Sequence, residues 1–261
     1  MFGFFHRLFR KQRFLIDVAS ISERGLVRAE NQDHVLVNRE RATFCVADGM
    51  GGGEGGATAS DMVCLFVARA VAKDVDFGER VKRVDEAFRS ANAAMRAYAY
   101  RAGFKQMAST ATVLLADEAD AGQAVIGYVG DSRVYRCREG LLTLLTHDHT
   151  MAGELMRRSA GHAMSVEFHG RQHALAHVLT RAVGVEAEVR PEWRKIDMRK
   201  GDVYLICSDG VHDMLSSEEI RTLLSADERA QNLVAALSER ILSAGAVDNY
   251  SMVVLKIGGR E

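Results

Sequence analysis

Four phrases place aspartate at the edge of an apolar run. FCVADG carries Asp48, GYVGDS carries Asp131, LICSDG carries Asp209, and VDNYSMVVL carries Asp248 just ahead of its apolar run. One Asp-Gly alone reads as a turn, because both residues suit turn backbone. Four carboxylates at the rims of core strands read differently. If the strand ends converge, the carboxylates repel one another unless cations lie between them. Hard oxygen ligands without a Cys/His set select Mg²⁺ or Mn²⁺ over zinc. The chemistry this points to is a two-metal hydrolytic centre, where paired ions lower the pKa of water and clamp a phosphoryl group. Beside Asp48 lies a glycine run, Gly49, Gly51, Gly52, Gly53, Gly55 and Gly56, ahead of a helix. Such a run either lets backbone approach an ion or phosphate or forms a plain loop. It matches neither GxGxxG nor GxxxxGK[ST], which disfavours nucleotide folds.

The elements that would position these residues are legible as periodicity. Short apolar strands are expected at Phe14–Val18, Val35–Val37, Thr43–Ala47, Thr112–Leu115, Val125–Val129, Val134–Arg136, Val203–Cys207 and Met252–Ile257. Ala57–Val71 is expected to be helical, as is the stretch with Val81, Val84, Phe88, Ala91, Met95 and Tyr98 on one face. Ala230, Leu233, Val234, Leu237 and Ile241 mark another helix. Ser216 with Glu219 offers a capping box to a short helix, and Ser225 with Glu228 offers one to the last. Two long helices after three strands indicate a mixed, mainly antiparallel layout. The segment Thr146–Ala174 lacks a strong period and reads as a helix plus a mobile insertion.

Composition sets the outer limits. The chain has 261 residues, with 34 Lys+Arg against 35 Asp+Glu and 48% hydrophobic residues. It is long enough for a sizeable core, and its near-zero net charge gives no bulk reason to bind nucleic acid or acidic membrane. Cys45, Cys64, Cys137 and Cys207 form no CxxC pair and suit a reducing cytoplasm. No apolar run approaches the length of a transmembrane helix. The opening MFGFFHRLFRKQRF mixes Phe with Arg and Lys. It reads first as a lead-in docking on its own domain and second as a short membrane or partner anchor through residues 2–13. The expected organisation is a lead-in over 1–12 and one catalytic domain over 13–261, with a flap insertion at about 150–175.

Together, Arg28-Ala-Glu-Asn-Gln-Asp33, Ala47-Asp-Gly-Met-Gly-Gly52, Gly130-Asp-Ser-Arg133, Leu145-Thr-His-Asp-His149, Leu179-Thr-Arg-Ala-Val-Gly184, Cys207-Ser-Asp-Gly210 and Asp248-Asn249 resemble the bacterial metal-dependent protein Ser/Thr phosphatases of type 2C. The resemblance runs from about Glu23 to Ile257. It implies an α+β fold, a four-layer αββα sandwich of two antiparallel sheets flanked by helices. It implies two Mn²⁺ or Mg²⁺ ions bridged by Asp48, with the Gly49 carbonyl on one and Asp209 and Asp248 as further ligands. Asp33 resembles the carboxylate that holds metal-bound water, and Asp131 the ligand of a third, weaker ion. Arg28 matches the arginine that grips the substrate phosphate. Arg133 is expected to order its own loop, and His147 and His149 to position structure near the flap.

Two positions depart from the pattern. Gln32 stands where many eukaryotic members carry a metal-binding Glu, and Gly53 where some place a His. The proton donor to the leaving oxygen is therefore open. His169, His173 and His177 recur every four residues; they read as solvated flap histidines ahead of a zinc or pH-sensing site. The expected activity is hydrolysis of phosphoSer/phosphoThr without a phosphoenzyme, since no obvious nucleophilic side chain is offered. Expected partners are phosphorylated proteins, above all a cognate Ser/Thr kinase and its substrates, with no nucleic acid and a monomeric state. The alternatives are a non-catalytic phosphoprotein-binding module and a small-molecule metallophosphatase.

Overall fold

The computed structural model describes residues 14–51, 55–117, 122–159 and 175–260. The lead-in 1–12, Gly52, Gly53, His169, His173 and most of the expected flap lie outside them.

Two antiparallel sheets face each other. One has the order β1-β11-β10-β7-β8, from Phe14–Glu23 (β1), Tyr250–Arg260 (β11), Val203–Cys207 (β10), Arg133–Arg138 (β7) and Leu141–Leu144 (β8). The other has the order β2-β3-β5-β6-β9, from Asp33–Asn38, Thr43–Gly51, Ala111–Ala116, Gln123–Val129 and Glu192–Asp197. The short β4 (Met107–Ser109) adds to the far end of β3.

Each central strand is apolar on both faces because each face meets another layer. Phe44, Val46, Leu114, Ile126, Tyr204, Ile206, Val253 and Leu255 fill the space between the sheets. The alternate residues Cys45, Ala47, Val113 and Leu115 pack outward against α1 (Gly55–Val71) and α2 (Phe77–Ala102). On the other side, Leu205, Cys207, Met252 and Val254 meet α5 (Ser217–Leu224) and α6 (Ala230–Ser243). The result is four layers, helices on both outer faces, as the family resemblance implied.

Three strands escaped the sequence reading: β4, β8 and β9. One cap differs as well. Ser216 and Glu219 do form the capping box of α5. Ser225, however, ends α5 rather than opening α6. The N-cap of α6 is Arg229, and the first free amide, of Ala230, donates to Asp17 Oδ2 of β1 at 2.9 Å. A tertiary carboxylate thus fills the role that a local box was expected to fill.

Candidate active site

Asp33 and Asp48 enter the site from adjacent strands and pair directly in the β2–β3 register. β3 does not turn at Asp48-Gly49; it continues to Gly51 and picks up β4 there. Thr110 locks Asp48 in place. Its amide donates to the Asp48 carbonyl at 2.8 Å, and its Oγ1 accepts from the Asp48 amide at 2.9 Å. Gly49 is compelled by close approach, because a Cβ there would lie 1.9 Å from the Gly56 carbonyl at the start of α1.

The opposite sheet delivers the other carboxylates. Asp209 opens the short helix α4 (Asp209–His212) directly after β10. Asp248 precedes β11, and Asp131 sits in the β6–β7 turn. Gly210 permits α4 to rest on the β11 entry: a Cβ would meet the Asn249 carbonyl at 1.9 Å. Ser208 joins the two sheets by donating to Asp33 Oδ2 at 2.7 Å while accepting from the Ser251 amide at 3.0 Å.

The crowding shows in the electrostatics. Burial first, then the charges of Asp33, Asp209, Asp131 and Asp248, hold Asp48 well above the usual carboxylate range. Burial also raises Asp33 to about 7, with Ser208 opposing and Asp209 adding to the rise. Asp131 is pushed well up by burial and by Asp209. Asp209 is raised by burial, a rise that His212 opposes and Asp213 and Asp248 reinforce. Among the described residues, Asp33, Asp48, Asp131 and Asp209 form no ion pair. Asp33 Oδ1 is buried with no hydrogen-bond partner. Crowded, acceptor-only oxygens with an orphaned lone pair fit hard divalent cations.

Arg28 lies at the same cluster, with Nη2 donating to Asp248 Oδ2 at 2.6 Å. Its guanidinium is held above its ordinary pKa by that hydrogen bond, and the charges of Asp209 and Asp48 also favour its charged form. The loop that carries it is tied down by Asn249, which accepts from the Gln32 amide at 2.9 Å and donates to the Arg24 and Glu30 carbonyls.

The neighbouring motifs do supporting work. Arg133 forks onto Asp148, with Nη2 to Oδ2 at 2.6 Å, and donates to the Tyr135 hydroxyl. It orders its loop, as expected. His149 is buried, stacks on Tyr128, and accepts from the Gly130 amide at 3.1 Å, so it braces the turn that presents Asp131. The bracing roles of Thr110, Ser208 and Asn249 carried no sequence signal beyond their neighbourhood. His177 is exposed, as expected, and also approaches Asp213 at 3.6 Å.

The family model of protein phosphatase 2C matches residues 26–246. The chain belongs to the protein phosphatase 2C family. Serine/threonine protein phosphatase PstP of Mycobacterium tuberculosis is 34% identical over 92% of this chain, which spans 44% of that relative's length. Among solved structures, PppA of Pseudomonas aeruginosa superposes with a TM-score of 0.83 at 30% identity, covering 94% of this chain and 99% of PppA. The catalytic domain of PstP in complex with two manganese ions superposes with a TM-score of 0.81 at 31% identity, covering 94% and 100% of the two chains. The protein phosphatase 2C fold thus extends through every layer described above. Among the described residues, no helix is long and apolar enough to cross a membrane.

Proposed function

We propose that this chain is a protein serine/threonine phosphatase that hydrolyses phosphoSer and phosphoThr esters with two Mn²⁺ or Mg²⁺ ions. The observation that carries the reading is the meeting of five acidic side chains with Arg28 at one place. In this reading Asp48 is the shared ligand, joined by the Gly49 carbonyl, Asp209 and Asp248, while Asp131 serves a third ion. The bound ions supply the Lewis acidity that activates water and offsets phosphoryl charge.

The chain's own groups do the positioning. Arg28 is 57% exposed, so its side chain can turn from Asp248 to a phosphate, whose oxygens suit the same planar fork. Asp33, fixed by Ser208, orients the attacking water by accepting its hydrogen. Thr110 and Asn249 keep Asp48 and the Arg28 loop from shifting, which matters because misplacement of reacting groups is costly. The partners implied are phosphoproteins, among them a cognate Ser/Thr kinase and its substrates. Four free, buried cysteines suit the reducing cytoplasm.

The test is hydrolysis of p-nitrophenyl phosphate and of phosphopeptides by the purified chain. Mn²⁺ should start turnover, EDTA should stop it, and phosphopeptides should be preferred. No turnover would indicate a binding module; preference for small phosphomonoesters would indicate a metabolite phosphatase; turnover untouched by EDTA would sink the metal assignment.

A further inference from the structure

His177 lies outside the site as built so far, yet its ring reaches that site's edge. One ring nitrogen of His177 and one carboxylate oxygen each of Asp209 and Asp213 all lie within 4.8 Å of one another. Asp213 leaves the turn of α4 that Asp209 begins, its amide donating to the Asp209 carbonyl at 2.8 Å. The two carboxylates therefore stand side by side on one short helix. His177 Nδ1 is 3.6 Å from Asp213 Oδ2, and His212 Nδ1 is 3.5 Å from Asp213 Oδ1. His212 in turn faces the Asp131 carbonyl through Nε2 at 3.2 Å. A carbonyl only accepts, so that nitrogen carries the proton and His212 is committed to bracing. The His177 side chain is 39% exposed and is not committed to such a brace.

A second observation points to a cation here. The Asp131 carboxylate is 7% exposed and forms no ion pair among the described residues. Ligand bonds of about 2.0–2.2 Å let two donors on one ion stand up to about 4 Å apart, so the present cluster needs only a small rotation to close.

We infer that His177 supplies a nitrogen ligand to the third ion, the one already given to Asp131, together with Asp209 and Asp213. This rests on the reading of Asp209 as a metal ligand and goes beyond it. The donor set around Asp48 is all oxygen, whereas this one is mixed. Imidazole suits Zn²⁺, Fe²⁺ and Ni²⁺ best, and Mn²⁺, a transition metal, accepts it more readily than Mg²⁺, which favours oxygen and dehydrates reluctantly. His177 would thus bear on metal choice at the edge of the site, through the shared Asp209.

Binding of Mn²⁺ and of Mg²⁺ to the full chain, followed by calorimetry and by the spin-resonance signal of free Mn²⁺, tests this. His177→Ala should loosen the weakest Mn²⁺ class about ten-fold and leave Mg²⁺ binding nearly unchanged. His177→Asn should behave like Ala. Spin-echo spectra of Mn²⁺ on Asp48→Asn protein should show nitrogen modulation that Asp48→Asn/His177→Ala protein lacks. Equal loss for both metals, no change for either, or absence of nitrogen modulation would reduce His177 to an ion pair with Asp213 and overturn the inference. A wild-type chain that binds no Mn²⁺ at all would overturn the two-ion reading as well, so the two failures are distinguishable.

Discussion

Asp33 and Asp48 sit opposite each other in the β2–β3 ladder, Asp33 buried and Asp48 half-buried. Like charges directly opposite destabilise a sheet. Asp33 is raised to about 7 in the folded chain against 3.8 for the free group, so the native state binds more protons. Its contribution to stability is present below pH 3.8 and is lost as pH rises through about 7. In EDTA, the melting temperature should therefore fall from about pH 5 to about pH 8. Saturating Mn²⁺ should reverse that slope, because ligands must be deprotonated to bind. A melting temperature that rises with pH in EDTA would contradict this account.

Asp48 feels the charges of the four other carboxylates, and Asp48→Asn removes the group on which they bear. Mn²⁺-dependent turnover should disappear, while the EDTA-treated variant should melt higher than the EDTA-treated wild type. Rate assays and thermal melts on the same preparation check both halves.

Arg28→Lys keeps the charge and loses the fork. One lost charge-assisted hydrogen bond, about 1.5–3 kcal/mol, corresponds to roughly a ten- to hundred-fold fall in kcat/KM. Steady-state kinetics with a phosphopeptide reads it directly, and a variant at wild-type efficiency would remove Arg28 from the site.

Much of this site was legible because its carboxylates stand at abrupt changes of pattern. FCVADG and LICSDG are buried on both faces and then turn acidic, which no ordinary strand end requires. What stayed hidden has physical reasons. β9, EWRKID, is an edge strand with half-exposed and exposed residues and therefore no apolar run. β4 spans only Met107–Ser109, and its partner is the continuation of β3 that a local Asp-Gly turn reading would have ended. Ser225 had the right spacing for a cap, but Asp17, distant in sequence, took that place.

Gly210→Ala would drive a methyl into the Asn249 carbonyl, 1.9 Å away. Backbone on backbone gives little room to adjust, so the cost should be about 3 kcal/mol or more. Urea unfolding should report it. Mn²⁺ affinity should fall in parallel, since α4 carries Asp209 and Asn249 adjoins Asp248.

Arg133→Ala leaves Asp148 largely buried without its partner, and the loss should be about 3 kcal/mol. KM for p-nitrophenyl phosphate should change little, because Arg133 spends its donors on Asp148 and Tyr135. A large KM effect without loss of stability would place Arg133 on substrate.

The pairing of β1 with β11, from Phe14↔Arg260 to Glu23↔Tyr250, joins strands far apart in sequence. β11 also lies between β1 and β10 in the sheet order. During synthesis, β1 and β10 must wait for the same late segment before either gains that neighbour. Long-range pairing of this kind slows folding. A nascent chain stalled ahead of Tyr250 would expose two unsatisfied edges, and Asp248 would have no strand to anchor it. Assembly of the carboxylate cluster and closure of this sheet are thus one late event on the ribosome-to-native route.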